Sequence, residues 1–243
     1  MKKYSIILIA VTLVCVIVGF VINTKDYSGI KFINTSSEKM KTDTEDFGTS
    51  EVKEIKLDLD YNHVSFVSGS KLEVTSIFPE EQLPKATLEN GVLSITQERQ
   101  PVKIFFVRAR FNDDEYTTKI VIPEGVVLDN IDIRGKDTDV SMDDITGENF
   151  TFNVNDGDVE IRNSKFTNVT TNIHDGDVTL NGEFVKADIH TGDGDLNISG
   201  KYDQIDANTH DGDITVNTES DMNLDNISVH TGDGDVTVNG HKW

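Results

Sequence analysis

The chain of 243 residues contains one cysteine, four prolines and one tryptophan, and its basic residues are few as well. The single cysteine, Cys15, excludes an intramolecular disulfide, so the fold is not that of a small disulfide-stapled secreted domain. Only 22 Lys and Arg residues stand against 43 Asp and Glu residues, which gives a formal net charge of −21. Because nucleic-acid binding needs clustered Lys and Arg to neutralise phosphates, this balance argues against a nucleic-acid partner.

A helical period is also missing from residue 51 onward. Apolar residues alternate with polar ones instead, as Ile55, Leu57 and Leu59 do, and this period of two is typical of a half-buried strand. Asn90-Gly91 lies between two apolar runs and predicts a hairpin turn, because both residues tolerate a positive φ. Hydrophobic residues make up 36% of the chain, which is enough for a folded core despite the high charge. We therefore expect an all-β protein.

One long hydrophobic run is present, at residues 6–22, and it follows Lys2 and Lys3. Seventeen uncharged residues in a helix span about 26 Å, close to the thickness of a bilayer core. The positive-inside rule then places the rest of the chain outside the cell, as a single-pass protein of the cell membrane. We expect a cytoplasmic tip at 1–3, one transmembrane helix at 4–23 and an extracellular spacer at 24–50. A cleaved signal peptide is the alternative, but no small-residue cleavage site follows the run.

An aspartate recurs through the second half of the chain at intervals of 18 to 22 residues. Each aspartate precedes an apolar residue, a polar residue and a second apolar residue, as in Val178-Thr179-Leu180. A second short strand follows in each repeat and leads to a histidine in four of them. The recurring aspartates are Asp139, Asp158, Asp177, Asp195, Asp213 and Asp235.

A repeat of this length cannot bury its apolar face alone and must stack on its neighbours. Equivalent strands would pair in parallel about 4.8 Å apart, which predicts a single-stranded parallel β-solenoid of stacked rungs. Phe166, Phe184 and Tyr202 would form an aromatic ladder along one corner. We expect an irregular β cap and first strands at 51–133, and the solenoid repeats at 134–243, as one continuous domain.

The rungs with the pattern Gly-Asp-Val-x-Val, the preceding "KIVIPEGV" and the single anchor resemble the putative-adhesin family of β-strand-repeat domains. This is a family of unknown function among envelope proteins of Gram-positive bacteria, and it includes accessory proteins of the Lia envelope-stress system. The resemblance covers roughly residues 51–240. It implies a surface protein and little chemistry, and we expect no cofactor apart from the calcium considered next.

The aspartates could bind calcium, since five of them would lie in one column of the stacked rungs. Repulsion between unit charges about 5 Å apart, of about 3 kcal/mol at an effective dielectric of 20, would be relieved by a bridging cation with oxygen ligands. The alternative is structural: Asp in such turns accepts a hydrogen bond from the backbone N–H two residues on. The candidate calcium ligands are Asp158, Asp177, Asp195, Asp213 and Asp235.

The four histidines of the repeat, at 174, 190, 210 and 230, follow inward residues at what looks like one rung position. They should point outward beside the acidic column, where a transition-metal site is a further alternative. No Ser-His-Asp or Cys-His arrangement is legible, and a catalytic site is normally built once rather than repeated in every rung.

We therefore expect a non-enzymatic, adhesin-like or envelope-stress accessory protein, with the membrane and a cell-envelope polymer or envelope protein as partners. A calcium-dependent adhesion module and a polysaccharide-active β-helix enzyme are the alternatives.

Overall fold

The computed structural model describes residues 40–97, 116–219 and 223–243. The transmembrane helix expected at 4–23 lies outside these residues, as does most of the expected spacer. Among the described residues, no helix is long and apolar enough to cross a membrane.

The described part of the chain is almost entirely strand, which confirms the all-β expectation. Two 3₁₀ turns, Glu80–Gln82 and Leu224–Asn226, are the helical elements in it. The strands are β1 (Met40–Gly48), β2 (Glu54–Asp58), β3 (Asn62–Gly69), β4 (Leu72–Pro79), β5 (Lys85–Glu89), β6 (Val92–Thr96), β7 (Thr117–Pro123), β8 (Val127–Asp143), β9 (Thr146–Asp156), β10 (Val159–Asp175), β11 (Val178–Asp193), β12 (Leu196–Asp211), β13 (Ile214–Thr218), β14 (Ile227–Asp233), β15 (Val236–Val238) and β16 (His241–Lys242).

Strands β8 to β15 form a parallel β-solenoid of about six turns, as the repeat predicted. Equivalent apolar residues stack from turn to turn, and Val159 pairs with Val178, which pairs with Leu196. The same row continues through Ile214 to Val236. Because side chains alternate along a strand, one row points into the core and the next points out.

Parallel stacking also extends into the region where the sequence predicted an irregular cap. Strands β2 and β3 pair in parallel with the two halves of β8. Strands β6 and β7 then stack in parallel on β2 and β3. The antiparallel strands β4 and β5 cover the outer edges of β7 and β6.

Residues 40–48, which we expected within the spacer, form strand β1 and pair antiparallel with β4. The assignment as spacer was wrong for this segment. Its alternation is weak in the sequence because two of its half-buried positions hold the charged residues Asp43 and Glu45. Phe47 nevertheless packs against the core, and the edge of β4 supplies hydrogen-bond partners that the local sequence cannot reveal.

The core is one hydrophobic cluster that runs from Val52 to Val238 along the stack. At one corner Phe166 stacks on Phe184, with ring centroids 6.4 Å apart, and Phe184 lies 5.2 Å from Tyr202. The predicted aromatic ladder is thus confirmed, and Phe150 extends it by one ring. Burial raises the pKa of the Tyr202 hydroxyl well above its usual range.

Candidate functional site: the outward columns of the solenoid

The recurring aspartates lie side by side on the outer face; Asp139 lies within β8, and each of the others immediately precedes a strand. The carboxylate Oδ1 of one aspartate accepts a hydrogen bond from the backbone N–H of the equivalent aspartate in the next turn. Asp177 N–H donates to Asp158 and Asp195 N–H donates to Asp177, at 2.8 and 2.7 Å. The ladder is unbroken from Asp139 to Asp235, with N···O distances of 2.7 to 2.9 Å.

This arrangement differs from the local turn that the sequence predicted. The partner of each carboxylate is 18 to 22 residues away in sequence, and not two residues on. The reason is the stacking distance. Equivalent residues in neighbouring turns lie about 4.8 Å apart, which an Asp side chain can span to reach the next amide. Each carboxylate therefore links two turns.

A glycine precedes each aspartate of the ladder after Asp139 and brings the turns close together. Gly194 has a φ of +145°, and a Cβ placed on it would lie 2.1 Å from the carbonyl oxygen of Gly176. Its N–H donates to the carbonyl of Asp211 in the next turn at 2.8 Å. Only glycine fits this stacked turn, because any side chain would collide with the backbone of the turn below.

Both ends of the aspartate ladder meet a basic side chain. At one end, the His63 Nδ1 atom lies 3.9 Å from Oδ2 of Asp139. The contact with His63 holds the pKa of the Asp139 carboxyl below its usual value, and the N–H of Asp158 lowers it further. At the other end, Lys242 Nζ donates to Asp235 at 2.6 Å, and this contact raises the pKa of Lys242.

The five candidate calcium ligands are thus brought into one column, but they do not surround a common point. Within the described ranges, no group of three or more His, Cys, Asp or Glu side chains is arranged to hold a metal ion. Four of the five already use Oδ1 for a backbone amide of the next turn, and Oδ1 of the fifth, Asp235, accepts from Lys242. Calcium at this column therefore stays a prediction.

The histidines point outward as expected and are exposed, but they do not occupy one rung position. His190 pairs with Asn208, which pairs with His230. His174 lies instead beside Gly192, and His210 lies beside Gly232. The expectation of one histidine position was wrong, because the His-Asp-Gly-Asp turns (174–177 and 210–213) and the His-Thr-Gly-Asp-Gly-Asp turns (190–195 and 230–235) align on their aspartates without an insertion. In the turn at 190–195, Thr191 occupies the inward position that Ile173 occupies in the preceding turn, and Thr191 is buried.

His190 has a specific partner on this face. Its Nε2 lies 2.9 Å from Oδ1 of Asp188, and its Nδ1 lies 3.4 Å from the amide nitrogen of Asn208. These two contacts hold the imidazole of His190 between its own turn and the next one. Because neighbouring histidines on each column are two turns apart, the described residues do not assemble a cluster of imidazoles for a transition metal.

A groove of about 430 Å³ runs across the turns on the same outer face as the aspartates. The sequence did not predict this groove, because the strand pattern is carried by the two apolar residues of each step and not by the polar residue between them. That middle residue was the available signal: it is Thr179, Asn197 and Thr215 in three successive turns. The lining consists of Arg162, Asn163, Thr179, Asn181, Asn197, Ile198, Ser199, Thr215 and Asn217.

Part of the lining is already hydrogen-bonded within the protein. Asn181 donates to Ser199 at 2.9 Å, and Asn163 donates to Asp143 at 2.9 Å. Arg162 is paired with Glu160. The side chains of Thr179, Asn197 and Thr215, in contrast, make no hydrogen bond within the described ranges. Hydroxyl and amide groups are therefore available in the middle of the groove.

The comparisons with known proteins agree with this architecture. The family model described as Toastrack DUF4097 matches residues 52–242. A comparison with curated proteins finds no match. Among solved structures, a putative adhesin from Bacteroides fragilis is 16% identical with a TM-score of 0.50; the alignment covers 83% of this chain and 97% of that one.

Two further solved structures are similar at lower scores. A putative cell adhesion protein from Clostridium sporogenes is 13% identical, with a TM-score of 0.47 over 74% of this chain and 100% of that one. A putative adhesin from Parabacteroides distasonis is 15% identical, with a TM-score of 0.44 over 83% of this chain and 97% of that one.

Proposed function

Because the chain belongs to the Toastrack DUF4097 family, we propose that it is an adhesin-like protein that binds the cell envelope and catalyses no reaction. The observation that carries this proposal is the outer face of the solenoid. Its turns are held in fixed register by the aspartate ladder, and they present the same kinds of polar side chain again and again. A repeated, rigid surface suits the recognition of a repeated, extended partner.

The repetition also favours binding over catalysis. Every acid of the ladder occupies the same position in its turn, and all of them except the terminal Asp235 accept a backbone N–H with one oxygen. A pair of carboxylates that cleaves a glycosidic bond needs two different environments, one for the acid and one for the base or nucleophile. Equivalent aspartates do not supply that difference. The name of the structural relative from Bacteroides fragilis, a putative adhesin, is consistent with a binding role.

The second part of the proposal is location: a single-pass anchor at residues 4–23 holds the solenoid outside the membrane of a Gram-positive cell. The uncharged run after Lys2 and Lys3 supports it. Protease added to intact cells should remove the solenoid, whereas cytoplasmic proteins should survive. A mature N-terminus near residue 24 would instead indicate a cleaved signal peptide.

Envelope binding is tested with the full chain, kept soluble in a zwitterionic detergent that contains no sugar. The chain should sediment with purified Gram-positive cell walls. Bovine serum albumin, the control, should stay in the supernatant. If no more of the chain sediments with the walls than without them, the result would contradict an adhesin-like role. A parallel assay with a chelator separates calcium-dependent adhesion from direct binding.

A further inference from the structure

The groove on the outer face is neutral in an otherwise acidic protein. Its single charged lining residue, Arg162, is compensated by Glu160. The rest of the lining consists of amide and hydroxyl side chains, together with Ile198. Such groups both donate and accept hydrogen bonds, and so do the hydroxyl groups of sugars.

We propose that this groove binds a neutral glycan, laid across successive turns of the solenoid. The proposal rests on the adhesin-like function above and names the class of its ligand. Thr179, Asn197 and Thr215 are the central contacts, because they follow one another in adjacent turns and their side chains have no hydrogen-bond partner within the described ranges. The spacing of about 4.8 Å between turns is similar to the length of one sugar unit in an extended chain.

The charges beside the groove decide against an anionic ligand. The aspartate ladder lies two residues along each strand from the central contacts, at a distance of about 7 Å. Asp177, Asp195 and Asp213 therefore form a negative border along the groove. A phosphate- or carboxylate-rich polymer would be repelled by this border, whereas a neutral chain of hydroxyl groups would not be.

The lining also sets the strength of binding. None of its residues is aromatic, so a sugar ring gains no stacking contact there. Each sugar unit is then held by a few hydrogen bonds, each worth about 1 kcal/mol net. Affinity should consequently be weak for a monosaccharide and rise with the number of linked sugars that the turns can engage together.

The test measures binding of the full chain, in the same sugar-free detergent, by isothermal titration with defined probes. Cellohexaose, maltohexaose and chitohexaose represent neutral glycans, glucose and N-acetylglucosamine are their monomers, and polygalacturonate is the anionic polymer. At least one hexasaccharide should bind about tenfold or more tightly than its monomer. The affinity should be the same in calcium and in chelator, since the proposed contacts are amides and hydroxyls.

Paired variants locate the site. Thr179→Val with Thr215→Val removes two hydroxyl groups from the groove and keeps the β-branched shape. This double variant should weaken hexasaccharide binding by about fivefold per hydroxyl. Thr151→Val with Thr170→Val is the matched control, because these threonines point outward on the other leg of the solenoid. Melting temperatures of both variants should stay near that of the wild type.

Three results would overturn the proposal: preference for polygalacturonate, no gain with chain length, or equal losses in the two double variants. Each of these is distinguishable from failure of the adhesin-like function itself. If the full chain sediments with cell walls but ignores every neutral glycan, the function stands and the groove is not its ligand site. If it does neither, the function fails as well.

Discussion

At the scale of single residues, inward and outward neighbours should respond very differently to substitution. Ile189 is fully buried, whereas the adjacent His190 is exposed and contacts Asp188. Ile189→Asp places an unpaired carboxylate in the core and should lower the free energy of unfolding by several kcal/mol. His190→Ala should cost only about 0.5 kcal/mol, as surface changes usually do. Thermal unfolding of the two full-length variants by circular dichroism checks this, and similar melting temperatures would contradict the assigned orientation.

Asp139 gives a prediction for the pH dependence of stability. The contact with His63 is the largest of the causes that lower its folded-state pKa. The contribution of the Asp139 carboxylate to folding stability is therefore complete above the unfolded pKa of 3.8. That contribution is lost as the pH falls through the lower, folded pKa. Asp139→Asn keeps an oxygen for the N–H of Asp158 but removes the charge. Its destabilisation relative to the wild type should therefore disappear between about pH 5 and about pH 2.

The control for this titration is the same substitution in a His63→Gln background. Without the imidazole, the main cause of the lowered pKa is gone. Asp139→Asn should then have a smaller effect that changes less with pH. An unchanged pH profile in that background would show that His63 does not act on Asp139.

The burial of single residues could largely be predicted from the sequence. Which residues of successive turns stack in one column could not. Val178, Leu180 and Ile189 were all assigned inward, and all are fully buried. The column of each histidine could not be predicted from the local pattern, because His174 and His190 both follow an inward isoleucine but lie in different columns. Counting back from the aspartates, which stacking keeps in register, would have matched His190 to Asn172 and placed Thr191 in the core.

At the scale of elements, the stacked turn should tolerate no side chain at its glycine. Gly194→Ala would push a Cβ to 2.1 Å from the carbonyl of Gly176 in the turn below. The turns must separate to accept it, which breaks ladder hydrogen bonds on both sides. We expect a loss of several kcal/mol, well above the cost of about 1 kcal/mol for a positive φ alone.

Gly125→Ala is the matched control for that substitution. Gly125 also has a positive φ, of +79°, but nothing lies within 4 Å of the position of its Cβ. It should therefore show the backbone cost without the collision. Denaturant unfolding of both variants measures the difference, and equal losses would mean that the turns do not stack as closely as described.

The strands of the solenoid could be predicted because the alternation of apolar and polar residues is local. The hydrogen-bond partners of the polar groups in each turn could not be predicted in the same way. The hydrogen bond from the N–H of Asp195 to Asp177 joins residues 18 apart, and its geometry depends on the separation of whole turns. The groove could not be predicted from the sequence for the same reason. Thr179, Asn197 and Thr215 form a surface only after three turns are stacked.

At the scale of the whole molecule, the order of stacking departs from the order of the chain. Strands β2 and β3 lie between β8 on one side and β6 and β7 on the other. Local patterns carry no information about such an exchange, because each of these strands could pair equally well with several others. The consequence is a core that continues from Val52 to Val238 without a break.

The continuous core leads to the prediction that calcium reinforces the fold and is not required for it. The buried rows and the aspartate ladder stabilise the turns without a cation. Repulsion along the column still favours a bound cation, and a ligand that binds only the folded state stabilises it by about 2.7 kcal/mol at a hundredfold excess over Kd. The full chain should therefore show its strand signal by circular dichroism in chelator. Its melting temperature should rise modestly in millimolar calcium.

Substitutions in the column separate this effect from general ion binding. Asp177→Asn and Asp213→Asn keep the oxygen that accepts the N–H of the next turn, and each removes one charge. They should shrink the calcium-dependent rise and leave the chelated protein as stable as before or slightly more so, because repulsion falls. Asp203→Asn, at an exposed position outside the ladder, is the control and should leave the rise unchanged. Loss of the strand signal in chelator would show instead that calcium is needed for folding, and a melting temperature that ignores calcium would show that the column binds none.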